Sequence, residues 1–282
     1  MKFCLIGFPL GHSMSPFIHQ RLFEIQHVKA SYDLMEISPE AFTSNTLSDT
    51  LQPYSGFNVT IPHKVSIIPL LKQLMGNAAQ LHTVNTVCND HGVFYGYNTD
   101  CDGFLKALQL GDITLAGRVL ICGSGGGTAR MMAHIAAQHN CTITLSSRRQ
   151  NDQRTMALAA EIRDTYSVPC QAVCRDDLTG TFDLLCNASP AGMYPNNIGL
   201  FPVSQSIVCA SAQVFDAVYN PADTALLQLA RSNGAKAMGG MPMLVYQAAK
   251  AQQLWYGAQF TDDDLLNLTE QANDQLKRSF HG

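Results

Sequence analysis

Gly117-Arg118-Val119-Leu120-Ile121-Cys122-Gly123-Ser124-Gly125-Gly126-Gly127-Thr128 is the stretch that decides the fold. A short apolar run carrying β-branched Val119 and Ile121 reads as a buried strand, small residues follow it, and the chain to about Gln138 then reads as a helix. Strand, glycine-rich turn and helix N-terminus, in that order, make a dinucleotide loop. Small residues let backbone N–H groups approach a pyrophosphate, and the helix terminus favours its charge. Gly123, Gly125, Gly126 and Gly127 are therefore the expected cofactor contacts. The G-x-G-x-x-G pattern closes here on Thr128 in place of a glycine.

The next strand, Thr142 to Leu145, leads into Ser146-Ser147-Arg148-Arg149. An NAD site usually places a carboxylate at this point, whereas a guanidinium pairs in a bidentate way with a ribose 2′-phosphate. Ser147, Arg148 and Arg149 thus point to NADP in preference to NAD, with NAD still open. The alternative, that the arginines merely solvate a strand end, applies more to Arg149 than to Arg148. Strands at Phe182 to Cys186 and Val214 to Ala217 extend the series into a doubly wound, Rossmann-type sheet.

Upstream, strands at Lys2 to Gly7, Ser31 to Ile37 and Gly56 to Thr60 alternate with helices at Pro16 to His27 and Pro39 to Leu51. Helical sequence follows Pro62. Val84 to Cys88 and Gly92 to Tyr95 flank a turn at Asn89-Asp90-His91, which makes a hairpin and hence a mixed first sheet. The expected fold is α/β in two domains. Residues 1–102, joined by C-terminal helices in 241–282, form a substrate-binding catalytic domain, and residues 103–240 bind the dinucleotide. The boundary falls near Cys101 to Gly111.

With 282 residues, 46% hydrophobic, the chain can bury one large core or two ordinary ones. A net charge of −4 offers no basic field for nucleic acid. No window reaches the ~20 apolar residues of a membrane span, and the opening residues are too soon interrupted for a signal peptide, so a cytoplasmic location is expected. The nine cysteines are scattered through apolar runs, as reduced core thiols are. Cys170 and Cys174 lack a second ligand pair, and no metal is expected.

Gly11-His12-Ser13-Met14-Ser15-Pro16 opens a helix, with Ser15 suited to the N-cap and Pro16 to the first helical position. The hydroxyls of Ser13 and Ser15 can donate to one carboxylate there, or Ser15 can simply cap the helix. Asn58-Val59-Thr60-Ile61-Pro62-His63-Lys64 sets polar groups just past a strand, where α/β folds build sites. In the last helical stretch, Leu244, Gln247 and Ala251 share a face, so Gln247 is an amide on an apolar surface. It bonds either a ligand or its own core.

These strings, together with Val84-Asn85-Thr86, Asn98-Thr99-Asp100 and GGMPMLVYQAAKAQQLWYG over 239–257, resemble the shikimate dehydrogenase family in order and over nearly the whole chain. The resemblance implies reversible NADP-dependent reduction of 3-dehydroshikimate to shikimate, in aromatic amino-acid biosynthesis. It implies that Ser13 and Ser15 hold the substrate carboxylate and that Thr60, Asn85 and Gln247 bond its hydroxyls. It further implies that Tyr219 borders the site and that Lys64 and Asp100 form the catalytic pair. Alcohol oxidation takes a proton from oxygen as hydride leaves carbon, and an ammonium–carboxylate couple can share that task as one titrating unit. Two departures stand out: Cys101 replaces a glycine, and Ser147 an asparagine. Cys101 is either a reactive thiol or a packed one. A quinate or dual quinate/shikimate dehydrogenase using NAD or NADP is the nearest alternative, and a non-catalytic shikimate-binding regulator is one of another class. A monomer or homodimer is expected.

Overall fold

The computed structural model describes residues 1–11, 13–42 and 44–280, and the chain divides into two compact units. One comprises Met1–Gly103 with Leu244–Gln275, the other Phe104–Met243 with the last residues of the chain. The C-terminal stretch is thus shared between the units, and its residues 281–282 lie outside the described residues.

In the first unit the elements run β1 (Lys2–Gly7), α1 (Ser15–Ile25), β2 (Ser31–Glu36), α2 (Ser44–Leu51), β3 (Gly56–Val59), β4 (Gln73–Leu74), α3 (Asn77–Leu81), β5 (Thr86–Asp90), β6 (Val93–Tyr97) and α4 (Asp100–Leu110). The sheet order is β2-β1-β3-β5-β6-β4. β5 runs antiparallel to both β3 and β6, so the sheet is mixed. Apolar Cys4, Ile6, Phe57, Val59, Val87 and Phe94 fill its core. Several boundaries differ from the sequence reading. Ser15 is the first helical residue rather than the N-cap, because the Ser13 hydroxyl accepts from the Ser15 N–H at 3.2 Å and draws the start of α1 forward. The α2 helix begins at Ser44, after a turn in which the Ala41 N–H bonds the Ser38 carbonyl; Thr43 lies outside the described residues. No long helix follows Pro62. Turns lead to one 3-10 turn at Ile68–Leu70, since Pro69 cannot donate to a helical ladder. The hairpin turn is His91-Gly92, both at positive φ (50° and 90°), between the paired Asp90 and Val93. Two positive φ values give the twist that a two-residue hairpin requires.

The second unit runs β7 (Arg118–Cys122), α5 (Gly127–Gln138), β8 (Thr142–Ser147), α6 (Gln153–Tyr166), β9 (Cys170–Cys174), β10 (Leu184–Asn187), α7 (Gln205–Cys209), β11 (Gln213–Asp216), α8 (Ala225–Ser232) and β12 (Lys236–Met238). All its strand pairs are parallel, in the order β12-β11-β10-β7-β8-β9. The order reverses between β7 and β10, which makes this a Rossmann-type doubly wound sheet with its switch point at their carboxyl ends.

Two helices follow, α9 (Met241–Tyr256) and α10 (Asp262–Phe280). The α9 helix lies on the first sheet. Its Trp255 stacks on Phe3 with ring centroids 4.5 Å apart and donates its indole N–H to the Val87 carbonyl at 2.9 Å. Gly56 makes room for that ring, since a Cβ there would lie 2.4 Å from it. Gln247, Ala251 and Trp255 recur at helical spacing on one face, so seating Trp255 also turns Gln247 toward the sheet. No described helix is long and apolar enough to cross a membrane.

Candidate active site

In the first sheet, β1, β3 and β6 end on the same side as β5 begins, because β5 runs opposite to its neighbours. Ser13 and Ser15 follow β1, Thr60 and Lys64 follow β3, Asn85 precedes β5 and Asp100 follows β6. Strand polarity alone therefore gathers these residues at one end of the sheet.

Asn85 is the hub. Its amide nitrogen donates to Asp100 Oδ1 at 2.8 Å, Gln247 Oε1 at 3.0 Å and Thr99 Oγ1 at 3.1 Å. Its Oδ1 accepts from the Thr99 N–H at 2.8 Å and the Thr86 hydroxyl at 3.0 Å. Lys64 Nζ donates to Asp100 Oδ2 at 2.5 Å. The two side chains keep 18% and 12% of their surface exposed, enough for a small molecule to reach them while protein covers the rest. Backbone bonds brace the pair, with the Val84 N–H on the Lys64 carbonyl at 2.8 Å and the Asp100 N–H on Asn98 Oδ1 at 3.1 Å. Asp100 is the first residue of α4, where a carboxylate is favoured by the helix dipole. Gln247 also bonds the Leu244 carbonyl at 3.2 Å, so its amide is tied both to its own helix and to Asn85.

The sequence reading left out Asn58, Tyr32 and Thr99. Asn58 donates to the Asn85 carbonyl at 3.1 Å and the Thr86 hydroxyl at 3.0 Å, and accepts from the Tyr32 phenol at 2.7 Å. Burial pushes that phenol well up, while the Ser15 hydroxyl bonds it and draws it back. An asparagine between Phe57 and Val59 in a fully buried strand had to be hydrogen-bonded, which was the available signal. The Thr60 hydroxyl has no partner among the described residues. Cys101 is buried, its thiol pushed up to about 12 chiefly by burial, which makes it a packed neutral thiol rather than a reactive one.

The second unit carries the remaining predicted residues. Gly123 follows β7 at φ +83°, and a Cβ there would lie 2.7 Å from the Ser189 backbone nitrogen. A Cβ at Gly125 or Gly127 would meet nothing within 4 Å, so the turn has an open face. The α5 helix follows with Gly126 as N-cap, no side-chain cap and no acidic residue in its first turn. Those N–H groups remain available to an anion. Ser124 instead turns inward, donating to the Ser146 carbonyl at 3.0 Å. At the end of β8 the Ser147 hydroxyl donates to the Arg149 carbonyl at 2.8 Å. Arg148 is exposed and forms no ion pair among the described residues. Arg149 lines a surface cavity of about 270 Å³ with Asp152, Arg163 and Gln171. Asp152 caps α6 through the Thr155 N–H at 3.0 Å, a task that turns its carboxylate to the helix. Tyr219 follows β11 in this unit and is half-buried. No group of three or more possible metal ligands occurs among the described residues.

Comparison with known proteins identifies relatives of this chain. A family model described as the shikimate dehydrogenase substrate binding domain matches residues 5–87. A shikimate dehydrogenase (NADP(+)) of Caldanaerobacter subterraneus subsp. tengcongensis is 34% identical over 93% of this chain and 93% of its own. The solved structure of shikimate 5-dehydrogenase from Thermus thermophilus, in complex with NADP(H) and shikimate, superposes with a TM-score of 0.82 at 29% identity, covering 96% of this chain and 99% of that one. Quinate dehydrogenase from Corynebacterium glutamicum in complex with NAD gives 0.83 at 28% identity, covering 96% and 97%. With 34% of aligned residues identical across nine-tenths of both chains, this chain belongs to the shikimate dehydrogenase family.

Proposed function

We propose that this protein is an NADP-dependent shikimate dehydrogenase, catalysing reversible reduction of 3-dehydroshikimate to shikimate. The observation that carries the reading is the Lys64–Asp100 pair bonded at 2.5 Å, with Asn85 and Gln247 on the same carboxylate-centred network. Such a pair can hold one proton between substrate oxygen, ammonium and carboxylate, so that the oxygen is protonated on reduction and deprotonated on oxidation. Ser13 and Ser15 are assigned to the substrate carboxylate and Thr60, Asn85 and Gln247 to its hydroxyls, with the free Thr60 hydroxyl as the readiest of these donors. Tyr219 is assigned to the border of the site. The first unit is the substrate-binding domain and the second the nucleotide-binding one.

The second unit fits a dinucleotide on its own chemistry: an open glycine turn, an uncapped helix N-terminus without acidic residues, and an exposed guanidinium at Arg148. Gly123, Gly125, Gly126 and Gly127 would hold the pyrophosphate, and Ser147, Arg148 and Arg149 the ribose with its 2′-phosphate. When bound, NADP supplies or takes up the hydride. The chain's own residues bind and orient the substrate and move the proton, and no metal enters. The reading carries a cytoplasmic location, a monomer or homodimer as the working unit, and no nucleic-acid partner.

The test is an absorbance assay for NADPH formation from shikimate by the purified protein, run in parallel with quinate and with NAD. Preferred turnover of shikimate with NADP is expected. Preference for quinate or NAD would move the protein to the quinate branch that the Corynebacterium structure represents, and ligand binding without turnover would make it a regulator.

A further inference from the structure

The carboxyl ends of β10 and β11 in the second unit carry a buried polar cluster to which no function has yet been given. Asp216 is fully buried. Its Oδ1 accepts from the Asn187 amide at 2.9 Å and the Val218 N–H at 3.0 Å, and its Oδ2 from the Thr224 hydroxyl at 2.6 Å. Thr224 in turn caps α8 by accepting from the Leu227 N–H at 3.4 Å. Asn187 Oδ1 accepts from the Ser189 N–H at 3.0 Å and its hydroxyl at 2.6 Å, while the Asn187 amide also donates to the Ala191 carbonyl at 3.1 Å. Ser189 is the residue whose backbone lies against Gly123, leaving no space for a Cβ there. Val218 is tied onward, its carbonyl accepting from the Gly240 N–H at 3.2 Å. One carboxylate thus organises the turn after β7, the loop after β10 and the loop after β11, the three segments that surround the switch point of the sheet.

We propose that Asp216 is a positioning residue for the dinucleotide, holding through Asn187, Val218 and Thr224 the three loops that shape the glycine turn. The inference rests on the reading of the second unit as the NADP-binding one. Three donors converge on two oxygens, and only an ionised carboxylate satisfies all of them; an amide or a protonated carboxyl brings a donor of its own into the cluster. Loop geometry is therefore coupled to the charge of Asp216. Burial pushes its carboxyl up to about 6, against the three hydrogen bonds that draw it down. The thiols on the strands beside it do not change charge in that range. Cys122 on β7 is pushed up to about 12 by burial, Cys186 on β10 lies well above its ordinary value for the same reason, and no ion pair reaches Asp216 among the described residues.

The experiment is calorimetric titration of NADPH into the intact wild-type protein, Asp216→Asn and Thr224→Val, between about pH 5.5 and about pH 8. At the upper pH the Asp216→Asn protein should bind NADPH about tenfold more weakly, the effect of leaving one buried donor unpaired. The ratio of the two affinities should approach one as the wild-type carboxyl is protonated. Taking the ratio cancels the titration of the nucleotide's own phosphates. Shikimate affinity without cofactor should stay unchanged. Thr224→Val keeps the charge and loses one donor, and a smaller loss of about threefold is expected at the upper pH; it carries the test if Asp216→Asn fails to fold. Equal affinities at the upper pH, or a ratio indifferent to pH, would overturn the proposal. A wild-type protein that binds shikimate but no NADPH would instead overturn the functional reading beneath it.

Discussion

Replacing Gly123 by alanine separates the two demands that the glycine turn makes. At φ +83° an L side chain meets its own backbone, which costs about 1–2 kcal/mol. The added Cβ would also lie 2.7 Å from Ser189 N and 2.8 Å from Ser189 Cα. Those atoms belong to a backbone pinned by Asn187 and by the Ala188 N–H bond to the Cys122 carbonyl at 3.0 Å, so they cannot rotate aside as a flexible side chain would. Overpacking of this kind costs roughly 1–3 kcal/mol. The sum, about 2–5 kcal/mol, corresponds to a fall of roughly 6–20 °C in Tm for a unit of this size. Calorimetry without nucleotide measures it. Gly125→Ala is the control, since its Cβ would meet nothing within 4 Å and its φ is not positive. Its Tm should stay within about 2 °C of wild type while KM for NADP rises, because the open face is the one a pyrophosphate approaches. An unchanged Tm for Gly123→Ala would refute the packing argument. An unchanged KM for Gly125→Ala would refute the assignment of the open face to the cofactor.

Lys64→Ala should lower kcat by roughly 10²-fold or more while leaving the fold intact by circular dichroism, and unchanged turnover would remove Lys64 from the proton path. Arg148→Ala should raise KM for NADP much more than for NAD; equal effects on both would reject recognition of the 2′-phosphate. Burial lowers the His19 imidazole to about 3 from its ordinary 6.5. The unfolded chain therefore takes up a proton that the native state refuses, and stability is lost as pH falls from about 6.5 toward 3, on the order of 5 kcal/mol in all. His19→Leu should move the midpoint of acid unfolding to lower pH, and a midpoint that stays or rises would show that His19 is not the group responsible.

Much of the architecture was legible because its signals are local. The strand ending at Cys122, the glycine turn and the helix to Gln138 stand where the residues indicated, since β-branched content, small turn residues and helical period act within a few positions. Boundaries slipped where a side chain competed for a backbone group. Ser15 became the first helical residue, its N–H bonded to the Ser13 hydroxyl, with Met14 at the N-cap, and Pro69 broke the helix expected after Pro62. β12 and β9 were not visible at all. Lys236–Met238 is three residues long, and Cys170–Cys174 shows no alternation, so only their sheet partners define them as strands.

At the candidate site the division has the same cause. Residue types such as Lys64, Asp100 and the Arg148 guanidinium declare their chemistry in the sequence, because charge and donor count travel with the side chain. Their partners do not. Asn85 meets Gln247 across 162 positions because the sheet order and the seating of Trp255 on Phe3 bring α9 over that end of the sheet. Asn58 and Asp216, polar residues inside expected strands, acquire their meaning only from donors that the tertiary structure delivers. Hydrogen-bond partnership depends on distances of about 3 Å between segments far apart in the chain, and packing of the whole sheet, rather than any local preference, sets those distances.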